Sequence, residues 1–135
     1  AIATGTVTPR PQDHDRATYC TKLEKRDGVL TWGESAGEID RRVRALTPWP
    51  GVRCRWGDTE LLLTEAGTVD SQERSRAPTP GTVVGVDSAL GILIQTTDGL
   101  LAVRRLKQQA RKELGFRSFV NGNPEIVGAV LQQAK

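Results

Sequence analysis

The amino-acid sequence predicts an α+β fold that is mainly β: a small antiparallel β-barrel of about six strands, with one capped helix before the barrel and one C-terminal helix. Short apolar runs joined by turn residues recur along residues 52–106, a spacing typical of a small closed or partly open barrel. One S-x-x-E helix start precedes them. A chain of 135 residues fits a single domain, so its core needs neither a disulfide nor a metal.

The first 18 residues have the composition of an interdomain linker. Pro9 and Pro11 favour extended backbone and cannot donate to a sheet ladder. The chain contains no methionine and begins at Ala1. We therefore expect a C-terminal piece of a longer protein, with a linker at residues 1–18 and the folded domain at residues 19–135.

Residues 19–32 are predicted to be extended, with a turn at Asp27-Gly28. The next helix is the clearest local signal, because Ser35 and Glu38 form a capping box. Pro48 disfavours helix at the residue before it. The apolar face repeats with helical period, which predicts a helix over Ala36–Leu46 with Ile39, Val43 and Leu46 inside.

From Gly51 onward the apolar residues recur at every second position, which is the period of a β-strand. Asp98-Gly99 is the strongest hairpin signal. The predicted strands are Val52–Trp56, Leu61–Thr64, Gly67–Asp70, Thr82–Val86, Ile92–Thr96 and Leu101–Leu106, with a polar loop at residues 71–80. In the first strand, Arg53 and Arg55 form the outer, cationic face. Asn123 as N-cap and Pro124 at the first helical position predict the last helix, whose apolar face is Ile126, Val127, Val130 and Leu131.

The sequence lacks the residue patterns of a catalyst. His14, the one histidine, lies between two aspartates in the linker, where a surface position is expected. Cys20 and Cys54 are too far apart for a zinc motif, and two reduced, buried thiols are favoured over one bridge. No phosphate-binding glycine loop and no nucleophile–base arrangement is present. We expect a binding or accessory module without a metal or cofactor of its own.

The charge distribution indicates an anionic partner. The formal net charge is +3, and the basic excess lies in residues 101–135. Arginine, which outnumbers lysine here, binds phosphate through two parallel hydrogen bonds. The longest apolar runs, such as Leu61–Leu63, are far shorter than the ~20 residues of a membrane span, so no membrane partner is expected.

Two stretches resemble the C-terminal domain of methionyl-tRNA formyltransferase. The first, residues 11–56, contains the specific features Tyr19, Lys22-Leu23 and Pro48-Trp49-Pro50-Gly51. The second comprises Pro80-Gly81-Thr82, Thr97-Asp98-Gly99 and residues 106–123, and it is similar to that domain's last strands and basic loop. Together they cover essentially the whole folded part.

The resemblance implies an OB-like barrel that helps to hold initiator Met-tRNA. It also implies a cytoplasmic parent enzyme, whose N-terminal Rossmann-like domain transfers a formyl group from 10-formyltetrahydrofolate with an Asn, a His and an Asp. That catalytic domain is absent from this chain, which we expect to be inactive alone. The family's basic loop usually has Gln-Pro-Ala-Gly-Lys-Lys, whereas this chain has Lys107-Gln108-Gln109-Ala110-Arg111-Lys112.

The nucleic-acid-binding prediction rests on basic side chains near the linker, on the helix and in the basic loop. They are Lys22, Lys25, Arg26, Arg42, Arg104, Arg105, Lys107, Arg111 and Lys112. The alternative for each is a solvated surface. Core packing is favoured over base stacking for Trp32, Trp49 and Trp56, with Trp49 wedged between helix and barrel.

Two other functions stay open at this point. One is a structural barrel of another folate-dependent formyltransferase, acting on a sugar or an amine, with no nucleic-acid role. The other is a free-standing OB-type binder of RNA or single strands.

Overall fold

The computed structural model describes residues 2–69 and 79–135. Helix α1 spans Ala36–Leu46, as predicted. The Ser35 Oγ accepts a hydrogen bond from the Glu38 backbone N–H at 3.3 Å, and the Glu38 carboxylate accepts one from the Ser35 N–H at 2.8 Å. These two bonds satisfy otherwise unpaired groups at the helix start. The pKa of the Glu38 carboxyl is lowered by the bonds that this carboxylate accepts from the Ser35 N–H and from the Ser35 hydroxyl, the latter at 2.8 Å.

The strands form one curled antiparallel sheet. Their bounds are β1 Val52–Trp56, β2 Thr59–Val69, β3 Val83–Asp87, β4 Gly91–Gln95, β5 Leu100–Gln108, β6 Glu113–Gly115 and β7 Gln132–Gln133. The order is β3-β4-β5-β2-β1-β7, and the short β6 pairs with the end of β5. The mainly β prediction and the small OB-like barrel are confirmed, and the hairpin at Asp98-Gly99 joins β4 to β5.

The middle of the sheet differs from the prediction. Leu61–Thr64 and Gly67–Asp70 are not two strands, since β2 runs unbroken from Thr59 to Val69. Its register with β5 shifts between Leu63 and Ala66, and Arg104 is the extra residue on β5. Such a bulge bends a long strand, so one strand serves both halves of the curled sheet. Most of the predicted loop at residues 71–80 lies outside the described residues.

The predicted C-terminal helix is wrong. Helix α2 spans Phe116–Gly122 instead, and the Asn123 side chain donates to the Phe119 carbonyl at its end. Pro124–Ile126 is a single 3-10 turn, after which the chain is extended. The Val83 N–H donates to the Ala129 carbonyl at 2.8 Å. The last residues therefore pair with the strand edges at Thr82–Val83 and at β1, which brings the two edges of the curled sheet together.

The core lies between α1 and the concave side of the sheet. Helix α1 packs against β2 and β5 with its predicted face of Ile39, Val43 and Leu46 buried, and α2 packs against β4, β5 and β6. The buried residues of one continuous apolar cluster include Ile39, Val43, Leu61, Leu63, Ile94, Leu101, Leu106, Phe119 and Ile126. Residues 3–27 are exposed along their whole length, and the linker boundary at residue 18 stays a prediction.

Candidate nucleic-acid interface

A cleft of about 410 Å³ lies where the segment before α1, the Pro-Trp-Pro segment and the end of β5 meet. We call it the Trp49 cleft, and its lining includes Lys25, Trp49, Pro50, Arg53, Glu60 and Lys107. Trp49 is 59% exposed, so its predicted packing between helix and barrel is wrong. Trp32 is buried and Trp56 packs edge-on against Phe119 at 6.3 Å, as core packing predicted. A large aromatic between two prolines, in no helical or strand period, is a signal that could have indicated exposure.

Arg53 lies beneath this cleft and not on an outer cationic face. It is only 6% exposed, because the segment around Val29 forms a parallel bridge with it and covers that side of β1. Its Nη2 donates to the Lys25 carbonyl, and its Nη1 lies 3.7 Å from the Glu60 carboxylate. Its Nε is buried without a hydrogen-bond partner. Arg53 thus ties the 3-10 turn Lys25–Gly28 to the sheet and positions Lys25.

Close backbone packing supports the same corner. An added Cβ on Gly28 would lie 1.9 Å from the Gly51 carbonyl oxygen, so only glycine fits at this position. The turn and the residue after the Pro-Trp-Pro segment therefore touch through their backbones. This contact places Lys25 and Trp49 at one cleft.

The far wall of the cleft is the turn that ends β5. The Arg111 N–H donates to the Gln108 carbonyl at 3.0 Å, and Ala110 has φ +62°, the one non-glycine residue of the described chain with a positive φ. The backbone at Ala110 therefore has the left-handed conformation that glycine adopts without strain. An adjoining cleft, of about 410 Å³ as well, shares this turn and includes Arg111 and Asp58.

Five of the nine predicted residues are exposed and make no ion pair within the described residues. They are Lys22, Lys25, Lys107, Arg111 and Lys112. Lys25, Lys107 and Arg111 line the two adjoining clefts on either side of the turn Gln108–Arg111. An unpaired cation on a surface is free to neutralise a phosphate, which makes this group the strongest candidate interface.

Two predicted residues near α1 are engaged within the fold. Arg26 pairs with Glu24 at 2.9 Å, and both side chains are largely exposed. Arg42 pairs with Glu34, and its Nη2 donates to the Asp27 carbonyl at 2.6 Å and to the Val29 carbonyl at 3.0 Å. Arg42 therefore holds the segment before α1 in place, and this role within the fold accounts for an arginine here without any contact to RNA.

Arg104 and Arg105 lie at a different cleft. The bulge on β5 leaves both side chains exposed at consecutive positions, which simple alternation would not predict. Arg105 donates to Glu113 at 2.6 and 3.0 Å, while Arg104 lies 3.9 Å from Glu65. The cleft also includes Arg117, which the sequence analysis did not single out, and its Nη2 donates to the Ser88 carbonyl at 2.7 Å.

The described residues include no metal-binding group of side chains. His14 is exposed in a 3-10 turn, and residues 2–69 and 79–135 contain no group of three or more metal-ligating side chains. Both cysteines are free. The prediction of a buried thiol is wrong for Cys20, which lies in the exposed N-terminal segment, whereas Cys54 is buried in β1, and burial raises the pKa of its thiol to about 12. No helix in the described parts of the chain is both long and apolar enough to cross a bilayer.

Comparison with known proteins places the chain in a family. The family model for the C-terminal domain of formyl transferases matches residues 22–124. The methionyl-tRNA formyltransferase of Treponema denticola is 41% identical over 120 residues, which are 87% of this chain and 37% of that enzyme. The corresponding enzyme of Roseiflexus castenholzii is 40% identical over 122 residues, covering 90% of this chain and 38% of its own length.

A solved structure shows the same fold at greater distance. HypX from Aquifex aeolicus, crystallised with tetrahydrofolic acid, superposes with a TM-score of 0.62 at 20% identity, over 88% of this chain and 20% of HypX. The chain spans less than two-fifths of the length of the two formyltransferases named above. From the family model and the sequence relatives together, this chain belongs to the formyl transferase C-terminal domain family and is related to the methionyl-tRNA formyltransferases.

Proposed function

We propose that this chain is the accessory, non-catalytic C-terminal domain of a cytoplasmic methionyl-tRNA formyltransferase, and that it helps to hold initiator Met-tRNA. The observation that supports this most directly is the row of unpaired cations Lys25, Lys107 and Arg111 along two adjoining clefts beside an exposed indole. Cations neutralise the RNA backbone, and an aromatic face stacks on an unpaired base.

Formyl transfer belongs, in this proposal, to an N-terminal Rossmann-like domain of the same protein that uses 10-formyltetrahydrofolate. The described residues do not show the Asn, His and Asp set expected of that domain, since neither cleft contains a histidine and His14 lies exposed in the N-terminal segment. The domain's contribution is then affinity and orientation of the RNA. Its contacts with backbone and shape are insensitive to base sequence.

Filter binding of the 135-residue chain to initiator tRNA across a salt series tests the proposal. We expect weak binding that falls steeply as salt rises, because each neutralised phosphate releases counterions. Reversing two charges with Arg111→Glu and Lys112→Glu should flatten the slope of log K against log salt by about 1.4 to 1.8. The matched control, Arg10→Glu and Arg16→Glu, changes the net charge equally on the exposed N-terminal segment and should alter the slope less.

Absence of binding even at low salt would contradict the proposal for this domain. It would favour the alternative of a structural barrel in a folate-dependent formyltransferase with a sugar or amine substrate. Equal effects of the two double variants would assign the binding to net charge, and would remove Arg111 and Lys112 from the interface.

A further inference from the structure

We propose that the Trp49 cleft binds a single unpaired nucleotide of the RNA partner, with its base stacked on the Trp49 indole and its phosphate at Lys25 and Lys107. This inference deepens the proposed function and rests on it. The cleft would be the place on the domain where one base of the RNA leaves the helical stack. The ligand class is a nucleotide with a free π-face and an adjacent phosphate.

The exposure of Trp49 is the first observation. An indole that is 59% exposed forgoes most of the burial that stabilises a tryptophan, while Trp32 in the same chain is only 8% exposed. Pro48 and Pro50 flank Trp49 and restrict its backbone, so the ring is presented with little conformational freedom to lose on binding. Stacking on such a ring tolerates any base, because every base has a π-face.

Charge is the second observation. Lys25 and Lys107 come from different elements, the turn before α1 and strand β5, and neither makes an ion pair among the described residues. The acidic group of the cleft, Glu60, already lies 3.7 Å from Arg53. The two lysines therefore leave a net positive rim, and a phosphate between them would neutralise part of that charge. The volume of about 410 Å³ is in the range of small-ligand sites.

Arg53 is the third and independent observation. This guanidinium is more than nine-tenths buried at the lining of the cleft, and its Nε has no hydrogen-bond partner. A buried donor without a partner is costly, and such groups in native proteins call for an explanation in function. Because Nη2 holds the Lys25 carbonyl, Arg53 acts as a positioning residue that fixes one lysine of the phosphate site.

The composition of the rim favours RNA over a protein surface as the occupant. Lysine is depleted in the centre of protein–protein interfaces, where apolar and aromatic side chains surround an anchor. Here the indole shares the lining with Lys25, Lys107, Gln108 and Gln109, beside the apolar Pro50, Leu62 and Ala110. A protein partner is therefore an outcome of the test and not part of the proposal.

Two measurements on the 135-residue chain test the cleft. In the first, filter binding to initiator tRNA compares the wild type with Trp49→Ala and Trp49→Phe; we expect alanine to weaken binding at least fivefold and phenylalanine to retain most of it. In the second, a single-stranded RNA hexamer is titrated while tryptophan fluorescence is followed. Quenching should occur in the wild type and vanish in Trp49→Phe, where only Trp32 and Trp56 emit.

The control is Tyr19→Ala, which removes an aromatic side chain that is 95% exposed and outside the cleft; its tRNA affinity should equal that of the wild type. If the wild type binds tRNA and Trp49→Ala binds equally well, the cleft inference is overturned while the proposed function stands. If the wild type binds no tRNA, the proposed function fails, and the hexamer decides the cleft: quenching supports it and no quenching overturns it. An effect of Trp49→Ala confined to a protein partner also overturns it.

Discussion

Ala110→Gly should stabilise this domain, which is the reverse of the usual effect of introducing glycine. Ala110 is the third residue of the turn Gln108–Arg111 and has φ +62°. An L-residue in this region costs about 1 to 2 kcal/mol, which glycine avoids. Glycine adds about 0.4 to 1 kcal/mol of conformational freedom to the unfolded chain. The midpoints of these two ranges, about 1.5 and about 0.7 kcal/mol, leave a net gain of about 0.8 kcal/mol in the free energy of unfolding.

Urea unfolding and calorimetry measure this change. For a domain of 135 residues the gain corresponds to a rise in Tm of about 2 to 4 °C. The matched control is Ala89→Gly, an exposed alanine between β3 and β4 that has no positive φ. There the unfolded-state entropy acts alone, and stability should fall by about 0.4 to 1 kcal/mol.

The outcome that would refute this reasoning is a loss of stability in Ala110→Gly as large as in Ala89→Gly. It would mean that the turn ending β5 does not hold Ala110 in a left-handed conformation. The Trp49 cleft would then lose one of its defined walls, since the same turn lines it.

Two further predictions concern packing and thiol chemistry. Gly28→Ala should lower the free energy of unfolding by about 1 to 3 kcal/mol, because the new Cβ would lie 1.9 Å from the Gly51 oxygen. The control Gly33→Ala, where the added Cβ has open space around it, should change stability far less. Equal urea midpoints for the two variants would contradict the close contact. A thiol reagent at pH 8 should label Cys20 in the native protein and Cys54 only in urea, and rapid native labelling of both would show that Cys54 is not buried. Burial raises the pKa of Cys54 in the folded state to about 12, above the unfolded value of about 8.5. The contribution of the buried thiol to stability is therefore complete below pH ~8.5 and is lost as the pH rises toward 12. Between these two values the urea midpoint should fall more steeply for the wild type than for Cys54→Ala.

The candidate site was only partly accessible to sequence reasoning. A sequence shows which residues are basic but not which groups they contact in the fold. These contacts separate the predicted residues that are held by ion pairs from those that are exposed without one. Arg42 is held by Glu34 and by two backbone carbonyls, whereas Lys107 is exposed without an ion pair among the described residues. The distinction depends on which carboxylates the fold brings near each cation.

Local sequence signals predict those features whose interacting groups are neighbours along the chain. Helix α1 begins and ends where the capping box at Ser35 and the proline at position 48 predict, because both signals act within one turn of backbone. The hairpin at Asp98-Gly99 follows from the same locality, since its glycine adopts φ +82° in the turn.

Tertiary structure decided the features that depend on distant pairing. Arg53 has the sequence pattern of an outer strand residue, yet it is buried because the segment around Val29 covers β1. Residues 123–133 have a helical start signal, but their backbone hydrogen bonds go to Val83 and to β1, and those bonds outweigh a local cap. Trp49 is 59% exposed in a cleft whose other walls, at Lys25 and Lys107, are distant from it in the sequence, so its surroundings depend on the fold.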